Sequence, residues 1–280
     1  MIHPLKHQAK MKLKYFLLAL VIGTGTATTK AQDYDFGVFG GVSFYQGDLA
    51  PGFTNGFVNG LRGIRPAIGG LARYNFHPNF SVRGNLNFGY VAMYDHLANE
   101  GTSRESRNLS FHSPIIEASA MVEINLRKYI AGSQRWTWTP YVFVGAGFAY
   151  TKTQTWYDGK RYALRTLQTE AEKSAAQYWG KRPIQPVIPM GLGFKYNIKN
   201  NWTLGVEFGW RMMFTDYLDD VSGSYTGATP TSTTDMAAIL GNRSGTAKAY
   251  GTKRGNKDAN DSYYFFGLTL SKTIRPYQCR

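Results

Sequence analysis

The sequence predicts an all-β chain of about eight antiparallel strands, closed into an up-and-down transmembrane β-barrel with long outer loops. Three observations predict it. Segments with an apolar residue at every second position recur along the chain. The connections between them alternate between short and long. The apolar faces carry tyrosines and tryptophans while the opposite faces carry ionic residues, the reverse of a water-soluble barrel.

Residues 1–31 read as an export signal: a basic start, MIHPLKHQAKMKLKY, then the short apolar run FLLALVIG, then the small-residue stretch TATTKAQ with cleavage expected after Ala31. Met11 opens a well-proportioned signal by itself. The run is too short to cross a bilayer as a helix. Residues 32–280 form the barrel. Strands are expected at 33–46, 65–76, 80–94, 113–127, 139–152, 185–198, from Trp202 and at 262–274. The clearest is WTLGVEFGWRMMF, with Trp202, Leu204, Val206, Phe208, Trp210, Met212 and Phe214 on one face and Glu207 and Arg211 on the other. Short turns fall at HPN (77–79), YIAGSQRW (129–136) and KNN (199–201), and long connections at 47–64, 95–112, 153–184 and 216–261. Termini and short turns are expected in the periplasm of a Gram-negative cell, with the long loops outside.

The barrel reading assigns Arg73, Arg83, Glu117, Glu123, Lys195, Glu207 and Arg211 to the interior, where opposite charges can pair and plug a lumen that eight strands leave barely wide enough for side chains. Five of the 32 basic residues lie in 1–31, which holds no acid, leaving 27 against 18 acids and a net charge of +9. These cations are scattered rather than gathered into a phosphate-tracking patch, so no nucleic-acid partner is expected. The one cysteine, Cys279, excludes an internal disulfide and a cysteine-based zinc site. No later apolar run is long enough for a membrane helix.

No constellation specifies catalysis, and no cofactor or metal is expected. His77 belongs to a turn. His96 and His112 flank an outer loop that also holds Ser103, Glu105 and Ser106; they read as exposed loop residues, with a rim hydrolase as the sharper alternative. TDYLDD places Asp216, Tyr217, Asp219 and Asp220 at a strand's outer end. Without regular DxDxDG spacing, these read as loop anchors ordering the outer mouth rather than a calcium site. Leu164, Leu167, Ala171, Ala175 and Tyr178 give 160–181 a helical stripe, and 243–261 reads as mobile.

FGVFGGVSFYQGDL, TPYVFVGAGFAY, IQPVIPMGLGFKYNIKNNWTLGVEFGWRMMFTDYLDDVSGSY, AAILGNRS, KRGN and DSYYFFGLTL follow one another in order. In these segments the chain resembles the DUF6089-type outer-membrane barrels, a family that includes a component of the type IX secretion system. The resemblance implies a non-enzymatic scaffold in outer-membrane lipid, serving protein secretion and gliding motility. Its implied partners are a periplasmic ring lipoprotein and that lipoprotein's partner subunit. Cys279 then falls in a periplasmic tail, where a disulfide to a partner and a dispensable thiol are the two readings. An adhesin or small-ligand barrel acting through its extracellular loops is the alternative function.

Overall fold

Alternation along the strands is turned directly into two surfaces. In β9 (Trp202–Met213), Thr203, Gly205, Glu207, Gly209, Arg211 and Met213 are buried or glycine, while Trp202, Leu204, Val206 and Trp210 are exposed. Successive side chains of a strand point to opposite faces, so one wall of the sheet is apolar and outward and the other inward. The computed structural model describes residues 33–50, 63–97, 106–167, 169–171, 179–199, 201–227 and 234–275.

Eight strands close the barrel: β1 (Asp33–Gln46), β2 (Arg65–His77), β3 (Phe80–Tyr94), β4 (Ser110–Asn125), β5 (Trp138–Thr151), β8 (Ile184–Asn197), β9 and β10 (Ser262–Ile274). Neighbours in sequence pair antiparallel, β3 pairs with β4, and β1 pairs with β10 from Tyr34↔Ile274 to Gln46↔Ser262. The ring of eight therefore has no open edge, which satisfies the backbone polar groups that hydrocarbon could not. Each strand exceeds the roughly 9–11 residues that a tilted strand needs to cross a bilayer. Outward positions such as Ile68, Phe148 and Leu192 are about two-thirds exposed (64%, 63% and 60%). A continuous apolar outer wall around an ionic interior is the architecture of a transmembrane β-barrel.

The short connections sit at one end and the long ones at the other. The strand limits differ from the expected ones by a few residues, most at β4, which begins at Ser110. That extension takes His112 out of the outer loop: it lies in the strand, 5% exposed, rather than on an exposed loop.

One further expectation is corrected. The stripe in 160–181 does not form a helix over its described first part. Instead β6 (Gln154–Tyr157) and β7 (Lys160–Ala163) make a hairpin, followed by a 3-10 turn at Leu164–Thr166. Asp158 and Gly159 both have positive φ, 47° and 69°, the conformation that an Asp-Gly hairpin turn demands. The turn chemistry overrides the leucine spacing, and Leu164 is buried in the mouth of the barrel all the same. The segment 243–261 caps the mouth and is largely exposed, but two of its side chains pin it. Arg254 and Asp261 within it are 5% and 0% exposed, and a short helix α1 (Met236–Gly241), capped by Asp235, precedes it.

Candidate functional site

The interior is built in three tiers. The lowest, towards the short turns, centres on Glu123 from β4. It meets Arg73 (2.9 Å) from β2, Arg83 (3.0 Å) from β3 and Lys195 from β8. Arg73 also pairs with Asp35 at 2.8 Å, and Asp35 accepts a hydrogen bond from Thr273 across the β1–β10 seam. Lys195 reaches Asn125 Oδ1 at 3.2 Å and lies over the Tyr141 ring. In the middle, Arg83 holds Glu207 with both terminal nitrogens, at 2.6 and 3.1 Å, and Tyr141 donates to the same carboxylate at 2.9 Å. Above them Glu117 accepts from Arg211 Nε (3.2 Å) and from Tyr263 (2.7 Å).

Arg73, Arg83, Lys195 and Arg211 are thus faced by Asp35, Glu117, Glu123 and Glu207, all at most 5% exposed. The interior charge balances. Each ion gives up hydration and regains part of it from at least one fixed partner of opposite charge, the condition under which buried charge is tolerable. Close packing is helped by inward glycines: a Cβ on Gly193 would lie 2.4 Å from the Tyr141 ring, and one on Gly209 would lie 2.0 Å from Arg211 Nη1. The gap left beside Arg83, Asn87, Glu207 and Arg211 has room for about one water molecule.

The upper interior is apolar. Phe39, Phe111, Met93, Met213, Tyr263 and Phe265 fill it, and Leu49, Leu164, Leu218, Val221 and Leu240 from the long loops close it from above. Sequence alternation alone does not separate this apolar tier from the ionic ones, because the plugging residues come from loops.

Over that plug lies the mouth. Asp219 and Asp261 face one hydroxyl, Tyr45 Oη, at 2.7 and 2.8 Å. Asp220 accepts from Thr169 (2.6 Å) and pairs with Lys181 (2.8 Å). Tyr217 is buried beneath Lys181. Asp216 is 6% exposed, and burial followed by the Asp219 charge pushes its pKa up to about 9. Burial likewise raises the carboxyls of Asp219 and Asp261 well above their ordinary range.

Several anchors of this mouth escape a reading by motif. Arg107 grips Asp95 with two nitrogens (2.7 and 2.8 Å) and reaches the carbonyls of Arg254 and Asp48. Arg254 joins Glu170 (2.9 Å), whose carboxylate also accepts from the Ser222 and Gly223 amides. Glu170 lies in the polar run TLQTEAE, which sequence reading absorbs into a helix. Its one available signal is an acid next to a threonine in a loop richer in bases than in acids.

The two rim histidines differ in setting. His112 is stacked between Tyr90 and Trp156, with ring centroids 6.0 and 6.3 Å away, while His96 is exposed beside Tyr94. Ser103 and Glu105 lie outside the described residues, as does Cys279. Among the described residues, no group of three metal-ligating side chains could hold an ion.

The family profile described as "Domain of unknown function (DUF6089)" matches residues 12–280. The chain belongs to this family. No curated protein matches this DUF6089 member. Among solved structures it is similar to the N-terminal β-barrel domain of Pseudomonas aeruginosa OprF, at 9% identity and a TM-score of 0.37, covering 88% of this chain and 100% of that one. It is similar to Ail, the attachment invasion locus protein of Yersinia pestis, at 10% identity and 0.35, covering 87% and 99%. OprG of P. aeruginosa gives 12% identity and 0.35, covering 86% and 96%. The architecture assigned to the DUF6089 member rests on its own strand pairing.

Proposed function

We propose that the protein is a non-enzymatic outer-membrane barrel, PorG-like, that serves type IX protein secretion, and gliding where the cell has it, as a structural anchor. The observation that carries this reading is the closed interior. Four cations and four anions pair across the lumen beneath an apolar plug, so a secreted chain has no way through. A barrel that conducts nothing acts by holding something. The secretion role itself rests on the resemblance of the quoted segments to DUF6089-type barrels, a family that includes a component of that system. In this reading the short turns and the termini face the periplasm, where they hold a ring lipoprotein and its partner subunit. The long loops face outside, and the apolar wall sits in outer-membrane lipid. The Cys279 tail falls on the partner side, and a disulfide there would run to the ring.

The test is a deletion strain scored for cargo release, together with affinity purification of the tagged barrel from solubilised membranes. Lost release and co-purified ring subunits are expected. Normal release from the deletion strain refutes the role. Non-reducing gels of the same membranes should lose a high-mass species on Cys279→Ser. The adhesin or ligand-binding reading draws on exposed loop aromatics such as Trp179 and Tyr250. It predicts purification without ring subunits and cell attachment that fails when those two are replaced by alanine.

A further inference from the structure

We propose that Tyr45, Asp219 and Asp261 form a proton-held latch that fastens the long excursion between β9 and β10 to the barrel rim, shut in acid and at neutrality and released in alkali. The inference is independent of the secretion role.

Proton counting carries it. Tyr45 Oη stands 2.7 Å from Asp219 Oδ2 and 2.8 Å from Asp261 Oδ1, and all three side chains are at most 3% exposed. A phenol has one proton and can donate to one of the two carboxyls. The remaining contact is a hydrogen bond only if the other carboxyl brings a proton of its own. The outer oxygens of both acids are already engaged, Asp219 Oδ1 by the Val221 amide (2.8 Å) and Asp261 Oδ2 by the Leu218 amide (2.9 Å). With both carboxylates ionised, two negative charges would meet at one oxygen with no water to separate them, an arrangement a buried acid pair avoids by keeping a proton.

The surroundings add to that demand. Beside the latch, Asp48, just past the end of β1, contributes further negative charge, and Asp216 from the excursion does so once it ionises. On the adjoining loop, Arg107 is committed to Asp95. Within the cap, Arg254 is paired with Glu170, and Lys181 from the loop before β8 with Asp220. Gly47 closes the last side, since a Cβ there would lie 1.8 Å from Tyr45 Oη and 2.0 Å from Asp261 Oδ1.

The placement makes the trio a fastening. Asp219 lies just past the end of β9, and Asp261 immediately precedes β10, so its backbone bonds to Met213 and Thr215. Tyr45 belongs to the neighbouring strand. One shared proton therefore ties both ends of the excursion to the rim. Carboxyls whose folded pKa is raised stabilise the closed form fully below about pH 4, their unfolded range, and lose that contribution as pH climbs through the folded value.

The test uses the full barrel folded in vesicles and amide hydrogen exchange, corrected for the intrinsic pH dependence, from pH 6 to 10. The Leu218 and Val221 amides report the latch, and β-strand amides serve as the reference. Their protection should fall by up to about tenfold per pH unit while the closed form keeps the shared proton and level off once that proton is lost; strand amides should keep theirs. Asp219→Asn supplies a permanent donor to Tyr45 and should hold both amides protected to pH 10. Asp261→Asn should do the same from the other side, so misfolding of one variant leaves the other to decide. Protection in the native protein that does not change across this range overturns the proposal. So do well-folded asparagine variants that retain the native pH dependence.

Discussion

At the scale of residues, the interior is held by a few acids with several partners each. Glu123 faces Arg73, Arg83 and Lys195 at once. Glu123→Gln should therefore destabilise the barrel by about 3–5 kcal/mol, the cost of leaving buried charge uncompensated. It should be read as a fall in the urea midpoint for unfolding from vesicles; an unchanged midpoint would show that the cations rehydrate. Alternation was enough to read which residues point inward. Which acid meets which cation was not legible, because that depends on the stagger between strands distant in sequence. Asp35 was missed in this way, since it lies on β1 among aromatics and its partner Arg73 comes from β2. The mouth was harder still. TDYLDD announced a set of loop anchors, but nothing in the chain places Tyr45 between Asp219 and Asp261.

At the scale of elements, strand existence and order were legible because each strand has one face against lipid and the other against the interior, which imposes a strict period of two. The β6–β7 hairpin was missed although YDGK carries the Asp-Gly turn signal, since a leucine stripe beginning just downstream matched a helical period. Inward glycines give a matched test within one strand. A Cβ on Gly41 would stand 2.2 Å from the Phe266 carbonyl, whereas one on Gly40, facing outward, meets nothing within 4 Å. Gly41→Val should sharply lower the fraction that folds into vesicles, scored by heat-modifiable gel migration, and Gly40→Val should fold close to the native yield. Equal yields would mean that β1 and β10 can part without cost.

At the scale of the whole molecule, the outer wall sets a depth profile. Val144 lies mid-strand on β5, while Ile184 opens β8 at the loop end, and both are exposed. Arginine at position 144 should cost about 2–4 kcal/mol and at position 184 about 0–1, because a charge near the interface reaches water. Equal costs in vesicle unfolding would remove the bilayer from the account. The global shape was the most legible level, since short and long connections alternate and the ionic faces needed somewhere to go. The cap was the least, because it is assembled from loops whose contacts follow no period.

The seam where β1 meets β10 is antiparallel like every other junction, with Tyr34 opposite Ile274. Topologically, the ring has no privileged first stave. A circularly permuted gene that bridges the old ends with a flexible linker and opens the chain in the turn between β8 and β9 would rebuild the same cylinder. A chain cut short before Ser262 would instead leave two raw margins, of β1 and β9, each searching for a mate.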